Sequence, residues 1–273
     1  MLKNLAELRK LRIHAKDGDI GAVHSFLFDD ASWTVRYLVV ETSGWLTDRQ
    51  VLISPMAISN VHWDAQKVEL ALTKKQIEDS PKIATDLPIT RQHEVELVGH
   101  YGWPVYWQSL APEMPWYFDV SNHERLASMK LRPHDSIEVE GYDPHLHSTK
   151  SVVGYRIHTT DGFLGLVEGF VADDRSWMIR YMVIDATDQL SGKKVIVGIN
   201  WIETINWNDR EVNVSITKDA YTDCPEYNPE GTIDREFEVK VHEQVCKPKY
   251  WDIMKQTQDK RKRELSREAQ SVA

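Results

Sequence analysis

Cysteine is scarce in this chain: only Cys224 and Cys246 occur, both in the second half and without Cys-x-x-Cys spacing. That excludes a disulfide framework or a thiolate zinc site as the basis of its stability, and both thiols are expected to be plain packing residues. Long apolar runs are missing too. No stretch approaches the ~18 to 20 residues needed to span a bilayer, and Lys3, Glu7, Arg9 and Lys10 stand where a secretory leader needs its apolar segment. A cytoplasmic protein without a transmembrane segment is expected. Positive charge is in deficit, 33 Lys and Arg against 42 Asp and Glu, for a formal net charge of −9. This argues against nucleic acid as a partner, because phosphate binding relies on many basic contacts. What is abundant is aromatic: ten Trp and ten Tyr in 273 residues, more than a disordered chain carries, in a length sufficient for two domains.

The sequence repeats itself at a spacing of 144 residues. Arg12-Ile13-His14-x-x-Asp17-Gly18-x-x-Gly21-x-Val23-x-x-Phe26 returns as Arg156-Ile157-His158-x-x-Asp161-Gly162-x-x-Gly165-x-Val167-x-x-Phe170. Asp29-Asp30-x-Ser32-Trp33-x-x-Arg36-Tyr37-x-Val39 returns as Asp173-Asp174-x-Ser176-Trp177-x-x-Arg180-Tyr181-x-Val183, and the match runs on without a gap to Tyr106-Trp107 and Tyr250-Trp251. About 30 of some 96 aligned positions are identical, against roughly one in sixteen for unrelated sequences. The domains are therefore placed at 8–109 and 152–253, with a linker at 110–151 and a charged tail at 254–273.

Within one copy the pattern is that of short strands. Leu11–Ala15, Ile20–Phe28, Trp33–Glu41, Gln50–Ser54, Ile58–Trp63 and Lys67–Leu72 are separated by polar turns, and Asp17-Gly18 suits a tight turn that needs positive φ. In the third strand, Trp33, Val35, Tyr37 and Val39 are expected on one face. Thr73 is placed as the N-cap of a helical turn ended by Pro81. Such short strands protect their edges best by curling into a small barrel.

These residues resemble the PRC-barrel family, named for the cytoplasmic domain of the H subunit of purple-bacterial photosynthetic reaction centres and related to the C-terminal barrel of a ribosome maturation factor. The resemblance rests on Ile-x-x-x-Asp-Gly-x-x-Gly-x-Val, on Asp-Asp-x-x-Trp-x-x-Arg-Tyr-x-Val-Val, and on a basic loop leading to Val51-Leu52-Ile53-Ser54-Pro55. It covers 11–80 and 155–224, and extends to the stand-alone tandem PRC-barrel proteins of bacteria. It implies a mainly β chain of two tandem small PRC-like β-barrels, with short helical turns and irregular aromatic arms, acting as a binding or assembly module rather than a catalyst. No counterpart of the reaction-centre subunit's membrane helix or of the maturation factor's N-terminal domain is expected among these residues, which argues against a direct role in either complex.

Bland readings outweigh sharp ones at each chemically capable residue. Asp17-Gly18 and Asp161-Gly162 lack the further oxygen ligands of a cation site and are expected to be turns. Arg36 and Arg180, in apolar strands, are expected to meet a carboxylate of the Asp29-Asp30 or Asp173-Asp174 turn. Together with Gly21, Trp33, Tyr37, Gly165, Trp177 and Tyr181 these are taken as residues the fold requires. His14 and His158 have no partner in sequence of the kind a nucleophilic site shows, and His145-x-His147 is read as part of a solvated linker rather than a metal site. No catalytic, cofactor or metal residue is assigned. The partner-binding candidates are aromatic: Tyr101, Trp103, Tyr106, Trp107, Trp116, Tyr117, Tyr250 and Trp251, residue types that anchor interfaces, with wrapping of an arm on a barrel as the alternative. The expected function is a non-catalytic module that binds a protein or self-associates. The rivals are a peripheral component of a photosynthetic or other electron-transport membrane assembly, and a small-ligand carrier or enzyme.

Overall fold

The computed structural model describes residues 1–42, 46, 49–82, 89–107, 145–186, 190, 192–257 and 259–260. The chain is mainly β, in two seven-stranded sheets. In the first half, β1 (Leu2–Asn4) and α1 (Leu5–Leu8) lead into β2 (Arg12–Ala15), β3 (Gly18–Asp29), β4 (Thr34–Thr42), β5 (Gln50–Ile53), β6 (Ile58–His62) and β7 (Lys67–Leu70). Then follow α2 (Lys74–Glu78) and α3 (Arg91–Tyr101). In the second, β8 (Leu146–Ser148) and α4 (Thr149–Val152) precede β9 (Arg156–Thr159), β10 (Gly162–Asp173), β11 (Ile179–Asp185), β12 (Lys194–Gly198), β13 (Ile202–Asn206) and β14 (Glu211–Val214). Helices α5 (Asp219–Thr222) and α6 (Arg235–Gln244) follow, and residues 250–257 are helical as well, where an irregular aromatic arm was expected at Tyr250 and Trp251.

One sheet runs β5-β4-β3-β2-β7-β6 with β8 added on β3; the other runs β12-β11-β10-β9-β14-β13 with β1 added on β10. Their registers coincide under the 144-residue shift. Arg12 faces Ala22 and Lys67 in one sheet, and Arg156 faces Leu166 and Glu211 in the other. β2 pairs in parallel with β7 and β9 with β14, and each pairs antiparallel with the next strand in sequence. The two ends of the first path, β5 and β6, are consecutive in the chain, joined only by a 3₁₀ turn at Pro55–Ala57, so this sheet curls until its ends lie within a few residues' reach.

Glycine and aspartate set the corners. Gly18 and Gly162 open the long strands at φ 136° and 141°, where a Cβ is disfavoured. The Asp before each glycine does more than turn the chain: an Asp17 carboxylate oxygen accepts the Lys74 amide at 2.7 Å, and Asp161 that of Lys218 at 2.6 Å, tying the hairpin to the start of the following helix. Gly21 and Gly165 answer to close approach instead, since a Cβ would stand 1.9 Å from Glu41 O and 2.2 Å from Asp185 O.

Contacts divide the chain into two compact units, 1–154 with 168–182, and 155–167 with 183–273. The division departs from the repeat boundaries at 168–182, a stretch of the second repeat that packs in unit 1. In unit 1, β4 is buried on both faces, with Leu38 and Val40 as enclosed as Tyr37 and Val39. Both faces are buried because α3 covers one of them: Leu97 and Ile89 join Leu27, Tyr37, Val39, Leu52 and Leu146 in one cluster, with Tyr101 and Trp103 packed against it. The arm is thus headed by a helix, capped by a Thr90–His93 box and stopped by Gly102 at φ 70°. Trp33, expected in the strand, precedes it in the left-handed region at φ 54°. In unit 2 the core gathers Ile157, Leu164, Val195, Val197, Trp201, Val212 and Tyr221, all at 1% exposure or less.

Candidate functional site

The densest polar construction among the described residues is in unit 1, where strand β4, helix α3, the aromatic arm and the residue before β8 converge on Glu94. Its carboxylate is fully buried. Tyr37 donates to Oε1 at 3.1 Å and Tyr106 at 2.7 Å; Arg91 donates to Oε2 at 2.9 Å, and His145 Nε2 lies 2.9 Å from the same oxygen. The Tyr106 hydroxyl accepts from Arg91 at 3.0 Å and lies 3.1 Å from His145 Nε2. Burial, reinforced by the negative charge of Glu94, holds the Tyr37 and Tyr106 phenols well above their ordinary pKa, so both remain protonated donors. This many donors satisfy a buried carboxylate in place of a solvent shell.

Arg36 completes the cluster from the neighbouring strand position. Its guanidinium stacks on the Tyr106 ring at 3.8 Å, bonds Ser32 Oγ at 3.0 Å and stands 3.6 Å from Asp29, both side chains being nearly buried. Arg91 lies over the Trp107 ring at 4.4 Å. The expected aromatic candidates are brought together in this way: Tyr101 and Trp103 stack at 4.2 Å and 16°, and Tyr106 meets Trp107 edge-on at 4.9 Å. All four stay half-buried. Beside them is a cavity of about 30 Å³ bordered by Arg36, Ser54, Met56, Trp103, Tyr106 and Trp177, room for a water or two and far short of the ~300 Å³ of a small-molecule site.

The equivalent place in unit 2 is built from other chemistry. Glu238 is likewise buried, with Arg235 Nη1 3.1 Å away. Arg235 covers the Trp251 ring at 4.0 Å, and Tyr250 meets Trp251 edge-on at 4.9 Å. Where the first copy has Val98, the second has His242, enclosed by Trp201 at 4.9 Å and Trp251 at 5.2 Å with Nδ1 3.0 Å from Pro248 O. Burial lowers its pKa below the ordinary histidine value, so it sits there as a neutral ring.

The linker boundary differs from expectation. Residues 145–151, expected in a solvated linker, are the approach to β8, β8 itself and the start of α4; His145 is buried on Glu94, and His147 pairs with Asp30 at 3.1 Å. His14 and His158 occupy the same position yet have unlike partners, Asp19 at 2.6 Å and Glu211 at 3.4 Å. Arg180 is buried and donates to Met178 Sδ at 2.7 Å. Cys224 is buried, which pushes its thiol to about 12. Trp116 and Tyr117 lie outside the described residues. Glu94, the centre of the site, was not singled out from sequence; the signal that marks it is Arg91-x-x-Glu94 recurring as Arg235-x-x-Glu238 behind a helix cap.

Among the described residues no group of three or more His, Cys, Asp or Glu is placed to hold a metal ion, and no helix is long and apolar enough to cross a membrane. No protein-family model matches the chain, and no curated protein matches it.

Proposed function

We propose that this chain is a non-catalytic protein-binding or assembly module built on two tandem PRC-like barrels, with the aromatic arm at 101–107 as its contact surface. The observation that carries this reading is the way the arm is held. Tyr106 is fastened to buried Glu94 and sandwiched against Arg36, while the Tyr101–Trp103 stack beside it keeps part of its ring surface in solvent. Rigid, partly exposed aromatics lose little freedom on binding and make good interface anchors. The repeated strand registers and the curled first sheet support the barrel part of the reading. The titratable groups of the cluster support the non-catalytic part, since they are engaged with one another around a cavity too small for a substrate.

The test is the native mass of the protein taken from its own cells under mild conditions. The reading expects an assembly larger than the 31.6 kDa chain, which Trp103→Ala returns to the monomer without altering the circular dichroism. A monomeric wild type, or an assembly indifferent to Trp103→Ala, overturns it.

A further inference from the structure

The contacts inside unit 1 include a reciprocal exchange between stretches 144 residues apart. Strand β1, which precedes the first repeat, pairs with β10 of the second through Leu2↔Asp173, Lys3↔Ala172 and Asn4↔Val171. Strand β8, which precedes the second repeat, pairs with β3 of the first through Leu146↔Asp29, His147↔Phe28 and Ser148↔Leu27. Adding 144 to the β1 member of each pair and subtracting 144 from its β10 member gives the second set. The same reciprocity holds at the tryptophan turns. Val35 N donates to Trp177 O at 2.9 Å, Ile179 N donates to Trp33 O at 2.7 Å, and Thr34 bridges Met178 between them.

Backbone strain is spent on this arrangement. Trp33 and Trp177 both adopt left-handed φ, 54° and 57°, a conformation that is unfavourable for a bulky residue and persists only where the surroundings enforce it. In each turn the strained residue closes a bond to the preceding aspartate carbonyl, Trp33 N to Asp29 O and Trp177 N to Asp173 O, while its own carbonyl accepts from the other copy's strand. Phe28 packs on Trp33 at 5.1 Å and on Phe170 at 5.8 Å, so apolar contact backs the main-chain bonds.

We infer that the edge formed by the tryptophan turn and the start of its strand is a self-complementary association surface whose partner is another copy of the same repeat. In a two-fold interface residue i meets j while j meets i, and that is the relation found between 33–35 and 177–179. In this chain the partner copy is attached through 108–144, and the halves recognise each other without it. The inference uses the equivalence of residues 144 apart from the reading above but not the aromatic arm, so Trp103→Ala leaves it untouched.

The experiment inserts a protease recognition sequence after Ser121 in the full chain, cleaves to completion under native conditions, and measures whether the two fragments co-elute. They are expected to travel together at the mass of the intact chain and to separate in denaturant. Ile179→Pro, which removes the donor to Trp33 O, is expected to raise the dissociation constant of the cleaved fragments at least tenfold, with the uncleaved variant checked for unchanged circular dichroism. Because that proline could unfold β11, Phe28→Leu serves as a milder second variant, expected to weaken fragment association by several-fold while keeping the fold. Cleaved wild-type fragments that part while each remains folded overturn the inference, as do folded variants whose fragments hold as tightly as the wild type.

Discussion

Gly21 shows how little latitude single positions have. A methyl there would stand 1.9 Å from the Glu41 carbonyl, and backbone does not yield cheaply, so Gly21→Ala is expected to cost more than about 3 kcal/mol; urea denaturation measures it, and Gly165→Ala should behave alike. Glu94→Gln keeps the shape of the side chain but leaves Arg91 and His145 facing an amide. A loss of about 2–4 kcal/mol is expected by the same assay, since a buried charge pair is broken from one side. For His242 the sign of the pH effect follows from its lowered pKa: the unfolded chain takes up a proton before the folded one does. Its contribution is fully present above the ordinary value near 6.5 and is lost as pH falls through the lower folded value. Denaturation at about pH 5 and pH 8 should therefore show a pH-dependent loss that His242→Phe reduces.

Elements were readable from the chain to the degree that their signals are local. The six strands expected in the first copy lie within a few residues of β2 to β7, and Thr73 caps α2 with Gln76 closing the box, because alternation, Asp-Gly turns and caps act over a few residues. Helix α3 is not legible in the sequence, although Thr90 and Gly102 mark its ends, since its apolar residues are too few to declare a face; it buries the Tyr37 side of β4. Short β1 and β8 were beyond reach for a different reason: a three-residue strand is defined by the neighbour it joins, and theirs is more than 100 positions away. Thr90→Ala tests the capping account of α3, with an expected loss of about 1 kcal/mol and a looser arm seen as faster amide exchange at 101–107.

At the scale of the molecule, the 144-residue sequence repeat is matched by a shared framework of strand registers, on which the two halves place different buried chemistry. Both keep the turn glycines, the left-handed tryptophans and the Arg-x-x-Glu helix start, whereas His145 on Glu94 belongs to the first copy and His242 between two tryptophans to the second. The charge network was hidden in sequence because Tyr37, Glu94, Tyr106 and His145 become neighbours only when strand, helix, arm and β8 close on one another. It fixes the arm whose exposed aromatic surface the proposed function depends on. The most direct measurement is site-specific photo-crosslinking in the native cell, with a photoreactive phenylalanine at Trp103 and, as control, at exposed Ser59 on β6. The account predicts one dominant protein crosslink from position 103, saturable by unlabelled protein and absent at position 59; equal or indiscriminate crosslinking from both positions, or none from 103, would contradict it.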